Sequence, residues 1–279
     1  NLSGKLNTKV TIKRVNFRFF NKLQLEGLMI EDRAKDTLLY AGKAQASVTD
    51  WFIFKDKIVL KNISFENTLV NMNRTDSVWN YQFIIDYFVQ PKKNNKKEDL
   101  VLDVQEVHLK NVIFRKKDKW VGQDLFASLK RFDVIVDGLN ISKKTLAIRE
   151  VYIEEPIFSQ NDYIGLKPIV NDLTSVMAKI PLVSAFKWNN SGWQVTLKDL
   201  IVYNGRFINE KLTERAPYTD RFDGQHLAFS QINGSLKNVA FINDTLTGIL
   251  SLRGKEKSGL DIKKLESNLK FTPELMEFK

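Results

Sequence analysis

Residues 134–153 read VIVDGLNISKKTLAIREVYI, and one short pattern occurs in them twice. In Val134-Val136-Leu139-Ile141 and again in Leu146-Ile148-Val151-Ile153, apolar residues alternate, skip two positions, and alternate again. Strand side chains alternate strictly between two faces, so unbroken alternation would throw the second apolar pair onto the opposite face from the first. One extra residue at the skipped pair restores the phase. That is the action of a β-bulge, which also bends the strand and increases its twist.

The pattern recurs at Val10-Ile12-Val15-Phe17, Leu23-Leu25-Leu28-Ile30, Ile58-Leu60-Ile63-Phe65, Leu102-Val104-Val107-Leu109 and Val195-Leu197-Leu200-Val202. Composition alone would give roughly three matches, so seven is an excess of about twofold. A hairpin at each skipped pair is the competing reading. It suits Asp137-Gly138 but not Lys13-Arg14, Lys61-Asn62, Arg149-Glu150 or Lys198-Asp199, which lack turn residues. The expected fold is therefore mainly β: a strongly curved, bulged antiparallel sheet with one apolar face, forming an elongated open groove, with one or two short packed helices. The apolar strand residues then face either a second sheet in a closed sandwich or a trough that acyl chains would fill. Periodicity does not choose between the two.

Outward from this stretch a coarser repeat is visible. VTDWFIFKDKIVLKNISFEN (48–67) parallels IVDGLNISKKTLAIREVYIEE (135–155) with one gap, and SLKNVAFINDTL (235–246) parallels the start of both. The spacings are too irregular for a solenoid and point to duplication of a sheet unit. Two stretches break the β pattern. Leu166, Ile169, Val170, Leu173, Val176, Met177 and Ile180 follow helical spacing, with Pro181 after them, and predict a helix over 166–180. Val78, Tyr81, Ile85 and Phe88 predict a shorter one near 78–88, stopped by Pro91. The expected organisation is an amino-terminal β unit (1–91), a charged loop (92–99) and further curled β units (100–279).

The 279 residues include 43 Lys+Arg against 33 Asp+Glu, a net charge of +10, and no cysteine. Disulfides, thiolate metal sites and cysteine nucleophiles are excluded. The positive charge is dispersed, densest at 92–99 and at Arg115, Lys116, Lys117 and Lys119, with no recognised nucleic-acid motif. This fits solvated loops or contact with an anionic lipid surface better than nucleic acid. His108 and His226 are the only histidines and stand in no metal-ligating spacing; no phosphate-binding loop, dinucleotide fingerprint or nucleophile elbow occurs. No enzyme activity, cofactor or metal is expected. The tryptophans Trp51, Trp79, Trp120, Trp188 and Trp193 fall near predicted element ends, and a glycan platform is the minor alternative for them. No run approaches the ~18 apolar residues of a spanning helix. Starting at Asn1, the chain reads as a mature or trimmed segment, with any membrane anchor expected outside it.

The run from Asp36 to Phe88, with its pieces DTLLYAGK, WFIF followed by KDK, LKNISFEN and RTDSVWNYQFIIDYF, resembles the amino-terminal region of TamB-type translocation and assembly proteins of Bacteroidota, relatives of the AsmA-like family. TKVTIKRVNFRFFNKLQLEGLMIED upstream and KSGLDIKKLESNLKFTPE (257–274) downstream resemble further family elements; 110–235 is similar only in style. The resemblance implies a curled β groove with an apolar floor, anchored in the inner membrane and crossing the periplasm, that conducts phospholipids towards the outer membrane. It also implies a possible outer-membrane barrel partner and assembly of outer-membrane proteins. The family's carboxy-terminal domain is not present in these residues, and no catalytic residue carries over. The residues expected to line such a groove are Val10, Ile12, Val15, Phe17, Ile58, Leu60, Leu102, Val104, Val107, Leu109, Val195, Leu197, Leu200 and Val202. The alternatives are a scaffold that pairs its strand edges with outer-membrane proteins, and a glycan-binding β protein.

Overall fold

The computed structural model of the chain describes residues 2–18, 22–48, 57–89, 99–168, 187–212, 215–218 and 221–279. After a one-turn helix α1 (Leu2–Leu6), strands β1 (Val10–Thr11), β2 (Arg14–Arg18), β3 (Lys22–Glu31), β4 (Thr37–Val48) and β5 (Lys57–Arg74) precede α2 (Gln82–Val89). Then come β6 (Asp99–Asp118), β7 (Gln123–Asn140), β8 (Thr145–Glu154), β9 (Ile157–Asp162) and β10 (Gln194–Lys211). The last are β11 (His226–Ile242), β12 (Thr245–Glu256), β13 (Asp261–Thr272) and β14 (Leu275–Phe278). All fourteen strands of the described residues belong to one sheet, whose order follows the chain order except that β2 shares the edge of β3 with β1 and β9 lies between β7 and β10.

The expected mainly β, curved sheet is what the chain forms, but it is mixed and not antiparallel throughout. Most neighbours are antiparallel, but β5 pairs with β6, and β8 and β9 pair with β10, in parallel. Parallel neighbours need a long return connection. Residues 75–98, which include α2, and 163–193 supply the two returns. Between them the sheet resolves into three copies of a three-strand meander: β3-β4-β5, β6-β7-β8 and β10-β11-β12. β9 extends the third strand of the middle copy beyond Pro156, keeping the same neighbours, β7 and β10. The three repeated sequence stretches fall where the second strand of each copy turns into the third.

The helix expected near 78–88 is α2, beginning at Gln82 after a turn at 79–81. Phe83 packs with Leu6 and Leu38, and Val10, Ile30, Tyr81, Ile84 and Tyr87 surround them. This small cluster sits at the distal end of the strands, the end that also carries the 119–122 and 257–260 turns. The proximal end carries the turns at 141–144, 243–244 and 273–274. The helix expected over 166–180 falls mainly on positions outside the described residues, as do Trp51 and most of the charged loop at 92–99.

The bend has a visible backbone cause. Gly27, Asn67, Asn111, Glu155, Asn204 and Gln231 all have φ between 50° and 62°. The registers place them on one transverse line with Lys13, Gly42, Lys130 and Gly254, so a crease crosses ten neighbouring strand segments. Left-handed conformation disfavours most L-residues and is tolerated best by Gly and Asn, which hold four of these six positions. Close packing follows: a Cβ on Gly27 would lie 2.6 Å from the Lys13 side chain. A second line of irregularities lies towards the proximal end. The register shifts around Lys61, Asp137 and Arg149, with Lys198 and Asn238 (φ 51°) on the same line. β7 runs straight through Asp137-Gly138 to Asn140, so that step is a bulge and not a hairpin.

Candidate functional site

Between and beside these two creases, cross-strand partners bring apolar side chains into continuous rows. One row runs Val15, Leu25, Ala44, Phe65, Leu109, Phe132, Ile153, Val202, Gly234, Leu252, Leu265. The next runs Phe17, Leu23, Ala46, Ile63, Val107, Val134, Val151, Leu200, Leu236, Leu250, with Ser267 ending it. Ten inter-strand steps at ~4.8 Å give each row a length of about 48 Å. Nearer the proximal end, Leu139, Leu146, Val195, Phe241, Leu246, Phe271 and Met276 form a third row. Across the distal crease lies a fourth: Val10, Ile30, Leu39, Val70, Phe114, Ala127, Phe158, Phe207 and Phe229. Phe158 and Phe207 stack in it at 5.9 Å.

Exposure separates the two faces in the proximal half of the sheet. On β10, Val195, Leu197, Leu200 and Val202 are half-buried while Thr196, Lys198, Ile201 and Tyr203 are exposed. β6 repeats this, with Val104, Val107 and Leu109 half-buried and Asp103, Gln105, His108 and Lys110 exposed. At the carboxy-terminal edge Ser267 and Leu269 are buried between exposed Glu266, Asn268 and Lys270. The sheltered face carries the apolar rows, yet no second sheet lies over it among the described residues. Only nine hydrophobic side chains among the described residues are buried, and three of them belong to the helix cluster at the distal end. Among the described residues no covering layer supplies that shelter.

The opposite face is polar and internally bonded. Its partners run Asn16, Gln24, Gln45, Ser64, His108, Asp133, and alongside them Arg14, Glu26, Lys43, Glu66, Lys110, Arg131, Glu154 alternate in sign almost throughout. Gln45 donates to Gln24 at 2.7 Å and Ser64 to Gln45 at 3.3 Å. His108 meets Asp133 at 2.7 Å and Glu106 at 3.3 Å, and the hydrogen bond to Asp133 holds its imidazole above the ordinary histidine range. Such ladders stabilise a polar face through cross-strand pairs, and at β3 the bonded Gln24 is itself buried.

The distal end of the sheltered face closes on a polar row. Arg74 grips buried Asp118 through two 2.8 Å bonds, and this holds the Asp118 carboxyl below the usual carboxylate range. Gln123 donates to Asp162 at 3.1 Å beside it. Trp79 lies under the Arg74 guanidinium at 4.5 Å and stacks on Tyr81. His226, fully buried, is bonded to Glu210 at 2.6 Å and to the Arg215 carbonyl at 3.1 Å, and Arg215 in turn clamps Asp223, whose carboxyl it depresses. These groups are saturated by one another. Among the described residues no group of three or more His, Cys, Asp or Glu side chains is placed to hold a metal ion, and none of their helices is long and apolar enough to cross a membrane.

Of the residues expected to line a groove, the two long rows collect Val15, Phe17, Val107, Leu109, Leu200 and Val202; Val195 lies in the row nearer the proximal end, and Leu197 pairs with Ile148 and Val239 between that row and the long ones. Val10 and Ile12 lie across the crease, and Ile12, Val15 and Phe17 are exposed at the β1–β2 edge. Val104 sits where β6 bulges past β5, in the register jump between Leu60 and Asn62. The backbones of Ile58, Leu60 and Leu102 occupy the β5–β6 pairing, and their side chains lie outside the described residues. Of the phenylalanines in the rows, only Phe17 and Phe65 belong to a recognised motif, while Phe114, Phe132, Phe158, Phe207, Phe229, Phe241 and Phe271 do not. Val107-Leu109-Val112-Phe114, around Lys110-Asn111, has the same form as the seven motifs but overlaps one of them. In two of these patterns the second residue of the skipped pair, Gly27 or Asn111, marks the crease, and in Val10-Ile12-Val15-Phe17 the first, Lys13, lies on it.

No protein-family model matches this chain, and no curated protein matches its sequence significantly.

Proposed function

We propose that the apolar rows line an open groove that carries phospholipid acyl chains, and that the chain is a periplasmic segment of a bridge-like conduit between inner and outer membranes. One observation carries the reading: apolar side chains line up in rows about 48 Å long, one passing through Gly234 and the other ending in Ser267, on one face of a single-layered sheet with no covering sheet among the described residues. Exposed apolar surface of that extent is costly in water, and each acyl CH₂ removed from water contributes about 0.8 kcal/mol. The rows offer no directional contact across most of their length, so a chain could slide without breaking bonds. The reading needs no catalytic group. The resemblance of Asp36–Phe88 to TamB-type proteins supports it independently, and adds the inner-membrane anchor outside these residues and the barrel partner.

The test is direct capture. A photocrosslinker at Leu109 or Val202 should trap phospholipid in cells, one at His108 or Tyr203 on the other face should not, and lipid extraction of the purified protein should return phospholipid. No capture at either row position would sink the proposal. A scaffold role is the second reading, favoured by the open edge at β14, where Met276 is 69% and Phe278 55% exposed. Stable protein complexes with no co-purifying lipid would point there.

A further inference from the structure

The distal turns hold a feature that the apolar rows do not explain. Segment 163–167, just past β9, lies against the β6–β7 turn and is bonded to it along the backbone. Tyr163 N–H donates to the Gly122 carbonyl at 2.7 Å, Leu166 N–H to Lys119 at 2.8 Å and Lys167 N–H to Trp120 at 2.9 Å. Two glycines permit this approach. A Cβ on Gly122 (φ 86°) would lie 1.9 Å from the Tyr163 carbonyl oxygen, and one on Gly165 would lie 2.5 Å from that of Trp120. Side chains pin the base: Val121 N–H donates to Asp118 at 3.1 Å, and the Tyr163 hydroxyl donates to Asp124 at 2.8 Å.

What this clasp presents outward is apolar. Ile164 is 84% exposed, Leu166 62% and Val121 55%. Aliphatic side chains on a rigid, doubly bonded backbone cannot fold back to hide, so their exposure is a standing cost. The charged residues of the two segments, Lys119 and Lys167, are both cationic. Lys119 and Lys167 are exposed, and neither has a carboxylate within ion-pair distance among the described residues. The local acids point inward, Asp118 to Arg74 and Asp124 to Tyr163. Aliphatic tips flanked in sequence by two exposed lysines match a bilayer interface, with tips in the acyl boundary and cations at phosphate depth. Three tips on one projection fall far short of the ~800 Å² per partner that a stable protein interface needs.

We propose that this glycine clasp docks the protein on an anionic lipid bilayer surface. The inference does not depend on the groove carrying lipid. The purified chain should co-sediment with vesicles containing about one third phosphatidylglycerol, and less with pure phosphatidylcholine, the difference shrinking as salt rises. Ile164→Ser with Leu166→Ser should weaken binding to both by tenfold or more. Lys119→Gln or Lys167→Gln should each weaken binding to the anionic vesicles alone, by about fivefold. Tyr203→Ser, at an exposed aromatic residue outside both the clasp and the apolar rows, should leave vesicle binding unchanged. Absence of vesicle binding, or binding that survives the Ile164/Leu166 pair, would overturn the proposal, as would loss of a protein complex and not of vesicle binding in the Ile164/Leu166 pair. The unfolding midpoint of each variant, expected near wild type for these exposed positions, confirms that the fold is kept.

Discussion

Replacing Asn111 by valine and, separately, by glycine asks whether the left-handed line bends the sheet or merely decorates it. Asn111 has φ 52°, and its amide donates to Asn67 on the neighbouring strand at 3.0 Å. Holding a β-branched residue in this region costs about 1–2 kcal/mol. Loss of an exposed amide pair adds about 0.5 kcal/mol, so the valine variant should be destabilised by about 2 kcal/mol. Glycine loses the same pair and some unfolded-state advantage, about 1 kcal/mol in all, but bears no strain. The order is the diagnostic. In the interior of a regular strand valine is favoured over glycine by up to ~1 kcal/mol; at Asn111 glycine should win by about as much. Urea unfolding followed by tryptophan fluorescence would register this as a midpoint about 0.3–0.5 M higher for glycine, for slopes of roughly 2–3 kcal/mol per M. A valine variant as stable as the glycine one, or more so, would refute the crease as a conformational requirement.

Three further outcomes follow from the polar contacts and the clasp. Because Arg74 depresses the Asp118 carboxyl, the stability this pair adds is present above the unfolded carboxylate pKa of about 3.9 and is lost as pH falls through the lower folded value. Asp118→Asn should therefore lower the unfolding midpoint clearly near neutral pH and much less in strong acid; an equal loss at both would show that charge is not the cause. NMR titration should place the His108 imidazole above its ordinary ~6.5, and Asp133→Asn should bring it down; an unmoved titration would mean the pair does not form in solution. Gly165→Ala should detach segment 163–167, seen as faster amide exchange at Tyr163 and Leu166 with the rest of the sheet protected. Uniformly unchanged exchange would contradict the close approach.

The bulged strands were legible because their cause is local. An aliphatic phase that resumes after two polar residues, as at Leu25-Glu26-Gly27-Leu28, has one economical β explanation, and the sheet irregularities occur there. Helix α2 was legible as an element but not its packed face: of the expected stripe, Val78 lies before the helix and Ile85 is exposed, while Phe83, Ile84 and Tyr87 pack inward. The strand directions were not. Nothing in residues 57–74 or 99–118 says that β5 and β6 run parallel, because parallel and antiparallel strands share one apolar alternation and differ only in how the intervening chain returns. The clasp was hidden too: Gly122 and Gly165 look like ordinary turn glycines until segment 163–167 lies against the turn at 119–122.

By itself, then, the sequence determined a mainly β chain with one apolar face on each strand, phase-corrected at Gly, Asn and charged pairs, without cysteine and with dispersed positive charge. These properties depend on residues two to five positions apart. Only tertiary structure decided that the bent positions of ten strand segments align into a single crease. It also decided that Phe65, Leu109, Phe132 and Ile153 become neighbours in one row, and that Ile164 and Leu166 are held out to solvent. Each of those facts is a matter of inter-strand register, which is set by hydrogen bonds between residues tens of positions apart. A shift of one residue in any of them would have sent the same side chains to the other face.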